Sequence, residues 1–257
     1  MPNLVNISRP CENGTTHGLD SPSTEGGILP RGALYWQDIF RPLNAAEREL
    51  APEVVFVKGD VELLRSARLV SIIGSRDASA DGLARARKLA RRLVKLGVVI
   101  VSGLARGIDT AAQTATIEAG GKTIGVIGTP LSVVSPAENR NLQETIGRDH
   151  LLLSQFPEDS PVTKGNFPTR NRLMALLSDA TVIVEATDIS GTAYQGREAL
   201  RLTRPLWILK SVVENTKLKW PSEFLECGAR ILSDESFSNF EDLLPKRETL
   251  PVNESSF

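Results

Sequence analysis

The chain has 257 residues, 41% hydrophobic and 24% charged, with 30 basic against 31 acidic side chains. That composition is ordinary for a soluble globular protein, and its net charge of −1 excludes a general polycation, so a surface for nucleic acid has to be a local basic patch. Cys11 and Cys227 lie too far apart in the chain to suggest a disulfide framework, and no apolar run approaches the roughly 18 residues that span a bilayer. With no signal-peptide core near the start, the expectation is a reduced cytoplasmic protein without a membrane partner.

Residues 1–32 are rich in Gly, Pro, Ser, Thr and Asn and read as an extended arm. Gly32 to Phe40 carries apolar residues at mixed spacing and predicts a short docking helix, so residues 1–50 form a partly irregular N-terminal arm. Pro52 to Gly59 predicts a strand, and Asp60 to Leu64 a brief helical turn. Leu69 to Ile73 is a strand running into Gly74-Ser75-Arg76, with Ser79 or Asp81 as cap of the helix that follows. Leu83, Ala86, Ala90, Leu93 and Val94 give that helix its apolar face. Arg85, Lys88, Arg91, Arg92 and Lys95 fall mostly on the other side, a pattern more often solvated than bound to nucleic acid.

Val98 to Val101 is four consecutive apolar, mostly β-branched residues, a strand buried on both faces. Ser102-Gly103 ends it, Arg106 sits in the turn, and Gly107-Ile108-Asp109 leads into a helix to Ala119. Lys122 to Ile127 is the next strand, followed by Gly128, a loop through Pro136, and a helix from Asn139 to Gly147. Leu151 to Ser154 is a further strand, and a proline-containing loop runs from Gln155 to Pro168. Phe167 to Arg172 opens a helix, Ala180 to Val184 is a strand with Glu185 at its end, and Ser190-Gly191-Thr192 opens a helix to about Leu202. Pro205 to Leu209 and Ala229 to Leu232 predict the last strands, and Phe237 to Leu244 the last helix. Strands separated by helices predict an α/β fold, a doubly wound and mostly parallel sheet over residues 51–245, with a tail at 246–257.

In such a sheet ligands bind outside the carboxyl ends of the strands. Gly74, Ser75, Arg76, Ser102, Gly103, Arg106, Gly128, Glu185, Ser190, Gly191 and Thr192 all fall there, and Arg170, Asn171 and Arg172 face the same rim from a helix start. Glycine-bearing turns from strand to helix present free N–H groups and the positive helix end, and arginine grips phosphate bidentately, so the pattern predicts a phosphate site. The two-residue spacing puts Arg170 and Arg172 on different sides of a helix unless the first lies in the turn. Glu185 has three possible roles, binding a ribose hydroxyl, acid-base chemistry or ordering the arginines, and the last is the expectation. His17 and His150 lie away from the rim, so neither a metal, a cofactor nor hydrolytic catalysis is expected.

Ile73-Gly-Ser-Arg76, Val101-Ser-Gly-Leu-Ala-Arg-Gly-Ile-Asp109, Gly120-Gly-Lys-Thr-Ile-Gly-Val-Ile-Gly128, Phe167-Pro-Thr-Arg-Asn-Arg172 and Glu185-Ala186 with Ser190-Gly-Thr192 resemble, in order and spacing, the DprA/Smf family. The resemblance runs from about Val55 to Leu232. It implies an extended Rossmann-like domain, single-stranded DNA binding, a homodimer, and loading of a RecA-type recombinase in natural transformation. By that resemblance Arg76, Arg106, Arg170 and Arg172 contact DNA phosphates over a floor of Gly74, Ser75, Ser102 and Gly103. The chain departs from the family at Ala111-Ala-Gln-Thr114, where a histidine is usual, at Gln155, at Lys210-Ser211, and at Ala193-Tyr-Gln-Gly196 after the Ser-Gly-Thr turn. The wider superfamily also holds nucleotide sensors and N-glycoside hydrolases, so a nucleotide-binding or glycoside-cleaving protein, as in phage defence, with Glu185 or Glu198 as acid-base group, is the alternative.

Overall fold

The structure is a computed structural model that describes residues 32–40, 43–65, 68–187 and 191–244. The elements in chain order begin with β1 (Ala33–Tyr35), α1 (Trp36–Ile39), α2 (Ala45–Arg48) and β2 (Val54–Gly59). The regular alternation follows as β3 (Arg68–Gly74), α3 (Ala80–Val94), β4 (Val98–Ser102), α4 (Ile108–Glu118), β5 (Thr123–Ile127), α5 (Arg140–Asp149) and β6 (Leu151–Ser154). Then come α6 (Asn166–Leu177), β7 (Ala180–Glu185), α7 (Gly191–Arg201), β8 (Leu206–Leu209), α8 (Lys210–Val213), α9 (Trp220–Glu226), β9 (Arg230–Leu232) and α10 (Phe237–Leu243).

All the strands join one sheet of order β1-β2-β6-β5-β4-β3-β7-β8-β9. From β6 to β9 every neighbouring pair is parallel, while β2 pairs antiparallel with both β1 and β6. The apolar runs of β4, β5 and β6 are buried throughout, because both sheet faces are covered. Along β3 the side chains alternate: Leu69 and Ile73 join the core under α6, α7 and α9, whereas Val70 and Ile72 pack beneath α3, α4 and α10.

This winding sets the place of the site. The chain lays down β3 to β6 outward in one direction, then returns through α6 to place β7 on the other side of β3. The helices that leave β3 and β7 therefore go to opposite faces, and a crevice opens between them at the carboxyl ends of those strands.

Gly32 to Phe40 differs from its sequence expectation of a single docking helix. Ala33, Leu34 and Tyr35 pair with Phe56, Val55 and Val54 as a strand, and only then does the short α1 begin. The three-residue strand is fixed by its partner, with Val57 N–H donating to the Gly32 carbonyl at 2.8 Å, and not by local propensity. The helix expected to open at Phe167 to Arg172 begins earlier, at Asn166, so Pro168 occupies its first turn, where its missing N–H leaves no bond unmade.

Candidate nucleic-acid interface

A cleft of about 400 Å³ lies at the switch point, lined by Gly74, Ser75 and Arg76 after β3, by Ala105 and Asp109 of the β4–α4 turn, by Arg170 and Asn171 of α6, and by Thr187, Gly191, Thr192 and Gln195 of the β7–α7 region. Close packing of the first two turns gives it its shape. Gly107 has a φ of +76°, and a Cβ there would stand 2.3 Å from the Ser75 carbonyl oxygen, so only glycine lets the β4–α4 turn reach the β3–α3 turn. The Ile108 N–H then donates to that same Ser75 carbonyl at 3.2 Å, and Ser75 N–H donates to the Glu185 carbonyl at 2.7 Å.

Two arginines stand free enough to meet a ligand. Arg76 is exposed, with its guanidinium 5.4 Å from the centre of the Phe167 ring. Arg106, beside the lining residue Ala105, is 55% exposed and stands 3.4 Å from Asp77 and 3.8 Å from Glu138. Exposed pairs of this kind contribute little, so an incoming phosphate displaces them at small cost.

Arg170 is a different kind of group. It is 4% exposed and donates through Nη1 to the carbonyls of Gly103 and, at 3.0 Å, of Val126. A Cβ on Gly103 would stand 1.5 Å from that Nη1, so the glycine leaves the guanidinium its path. Asp109, also buried, accepts the Gly103 N–H at 3.0 Å. Burial pushes the Arg170 pKa down and the Asp109 carboxyl up, and the attraction between the two works against both shifts. Arg170 is therefore the charged floor of the cleft and not part of its rim. Its Nε has no partner, and neither has Nε2 of Gln195, which is 2% exposed.

The remaining expected residues scatter. Asn171 lines the cleft and donates to the Gly191 carbonyl at 3.2 Å, holding α6 to the start of α7. Arg172 leaves α6 on another side, as its two-residue offset from Arg170 requires; it pairs with Glu198 at 3.1 Å and donates to the Tyr194 hydroxyl at 2.9 Å. Ser102 is fully buried and donates its hydroxyl to the Ile72 carbonyl at 2.7 Å, so it braces the sheet. Gly128 is buried below Phe167. Ser190 lies outside the described residues.

Glu185 does not order the arginines. Its carboxylate accepts from the Ser79 N–H at 2.8 Å and from the Ser79 hydroxyl, at the start of α3. The positive end of that helix is thus satisfied from within the chain, and the anion site has to be built from the other turns. With Glu185 held by Ser79 and Glu198 by Arg172, both carboxylates considered for acid-base work have protein partners. Among the described residues no group of three His, Cys, Asp or Glu could hold a metal ion.

Sequence reasoning missed Asp109, Gln195 and Phe167 as parts of the site. The signal for Asp109 was present, an acid in the first turn of a helix whose neighbours are all apolar or small. For Gln195 and Phe167 only the assembled helices supply the information.

Comparison with known proteins bears on this site. A family model described as DNA recombination-mediator protein A matches residues 33–243. The DNA processing protein DprA of Bacillus subtilis is 35% identical over 197 residues, which cover 76% of this chain and 65% of that protein. Its counterpart in Streptococcus pneumoniae is 36% identical over 192 residues, 75% of this chain and 67% of that protein. The chain spans 49% of protein Smf of Escherichia coli, at 34% identity. Among solved structures, DprA of Streptococcus pneumoniae superposes with a TM-score of 0.71 at 32% identity, covering 80% of this chain and 73% of that one. DprA of Helicobacter pylori, whose structure concerns its single-stranded DNA binding mode, gives 0.67 at 32% identity, covering 79% and 93%. A molybdenum cofactor binding protein of Rippkaea orientalis, at 16% identity and a TM-score of 0.51, shares the fold alone.

Proposed function

Because the chain belongs to the DNA recombination-mediator protein A family, the DprA/Smf proteins, we propose that it binds single-stranded DNA through its phosphates in the cleft between β3 and β7. It acts there by binding and not by catalysis, in DNA processing, recombination or uptake. The observation that carries this reading is the pairing of an exposed Arg76 with a buried Arg170 floor whose Nε lacks a partner, in one cleft at the switch point. A phosphate in the cleft meets the exposed Arg76 directly and is attracted by the buried charge of Arg170 beneath it. That the Helicobacter pylori relative has a described single-stranded DNA binding mode supports the choice of ligand. Passing the strand to a RecA-type recombinase, working as a homodimer and residing in the cytoplasm belong to the same proposal. Among the described residues no helix is long and apolar enough to cross a membrane.

The test is a salt titration of binding to an oligo-dT of about 20 nucleotides, where log affinity should fall against log salt with a slope of about −0.7 per phosphate contacted. Arg76→Ala and Arg106→Ala should each weaken binding and make the slope shallower, with Lys restoring only part because it lacks the bidentate fork. A flat salt dependence, or full affinity in both alanine variants, would sink the reading.

A further inference from the structure

A second cavity, of about 260 Å³, opens at the carboxyl ends of β8 and β9, whose last residues Leu209 and Leu232 line it. Its wall carries four cations, Arg85, Lys88 and Arg92 from α3 and Lys210 from α8, against one carboxylate, Asp234. The convergence follows from the helix. α3 turns Ala86, Leu89, Ala90 and Leu93 into the core, and positions 85, 88 and 92, three and four residues apart, then share one flank.

Among the residues that line the cavity, cations outnumber carboxylates. Lys88 at 2.8 Å and Arg92 at 3.0 Å share the single Asp234 carboxylate, and Arg92 also lies 3.5 Å from the centre of the Phe237 ring. Arg85 and Lys210 have loose, exposed partners outside the lining, Asp81 at 3.6 Å and Glu214 at 3.8 Å, and the Lys210 charge also acts on Glu235. Among the lining residues, the hydroxyls of Ser211 and Ser233 add polar groups to the same wall.

The position is as informative as the charge. β3, β7, β8 and β9 are successive parallel neighbours, so both cavities open on one rim of the sheet. At about 4.8 Å per strand the ends of β8 and β9 lie roughly 10–15 Å from that of β3. A single strand crosses such a gap within a few nucleotides.

We propose that Arg85, Lys88 and Lys210 form a second phosphate site, which takes the backbone of the same single strand a few nucleotides beyond the part held in the cleft. The proposal rests on the single-strand reading of the cleft, and makes the footprint on this face longer than the cleft alone provides. Arg92, fixed by Phe237 and Asp234, holds the wall in place. Asp234 opposes the ligand.

The experiment compares labelled oligo-dT of about 3 nucleotides, too short to leave the cleft, and of about 20 on the full chain, on the triple variant Arg85→Gln/Lys88→Gln/Lys210→Gln, and on Asp234→Asn, with a thermal melt of each. The triple variant should keep its affinity for the short strand, lose it severalfold for the long one, and show a long-strand salt slope shallower by about 0.7 for each contact removed. Asp234→Asn should tighten the long strand, whereas a merely structural ion-pair cluster would give no gain. Unchanged long-strand affinity in the triple variant overturns the proposal and leaves the cavity to an acidic protein segment. An equal loss for both lengths at an unchanged melting temperature overturns it too, since the site would then not be separate. Failure of the unaltered chain to bind either length removes the reading of the cleft, and this proposal with it.

Discussion

A guanidinium inside a protein needs acceptors for its donors, and Arg170 finds two for its Nη1 in backbone from two different strands' ends, the carbonyls of Gly103 and Val126, while its Nε is left without one. Removing it would leave those carbonyls without their donor and the buried Asp109 carboxyl without the positive charge that offsets its burial. Arg170→Ala should therefore cost on the order of 3–5 kcal/mol, the range for breaking a buried charged pair. Urea unfolding should show it as a lowered midpoint with little change in slope. Arg106→Ala at the exposed lip should stay within about 0.5 kcal/mol of the unaltered chain and still lose DNA affinity. Both arginines belong to motifs that resemble the same family, yet one shapes the cleft and the other meets what enters it. A wild-type midpoint for Arg170→Ala would contradict this division of roles.

At the scale of elements, α3 is tied at its start to the end of β7. The Ser79 hydroxyl accepts the Gly82 N–H at 3.0 Å while donating to Glu185, and the Ser79 N–H donates to the same carboxylate. Loss of such a cap costs about 1 kcal/mol. Ser79→Ala should lower stability by that amount, and Glu185→Gln by less, because an amide oxygen still accepts one bond. Neither should alter the salt slope of DNA binding; a shallower slope in Glu185→Gln would return that residue to the ligand. Much of this level was legible beforehand. Val98 to Val101 is too uniformly apolar and β-branched to be anything but an inner strand, and the spacing of Ala86, Ala90 and Leu93 allows α3 only one buried face. β1 was not legible, since three residues carry no period and their partner lies some twenty positions on. The depth of Arg170 was not legible either. Its helix begins at Asn166, one residue before the Phe167-to-Arg172 motif, and its acceptors come from the ends of β4 and β5, which sequence spacing along α6 does not report.

For the whole molecule the question is where the folded unit starts. The residues before β2 are wound into the same core as the parallel sheet: Trp36 is 3% and Phe40 7% exposed, and both join the cluster that includes Leu63, Leu64 and the α6 side chains. Glu47, 2% exposed, pairs with Arg204 between α7 and β8, which joins the beginning of the described chain to its last third. We therefore place the working domain near residues 33–243, the span that the family model also matches. Deleting residues 1–51 would remove β1, both aromatic side chains and the carboxylate that answers Arg204. Truncating one buried Phe or Trp costs about 3–5 kcal/mol, and two such losses approach the roughly 5–15 kcal/mol that holds a domain folded. That deletion should abolish the cooperative thermal transition, whereas a chain beginning at Arg31 retains every described contact and should melt as the full chain does. A cooperative melt at the original temperature after deletion of residues 1–51 would show that the sheet from β2 onward folds without β1, Trp36 and Phe40.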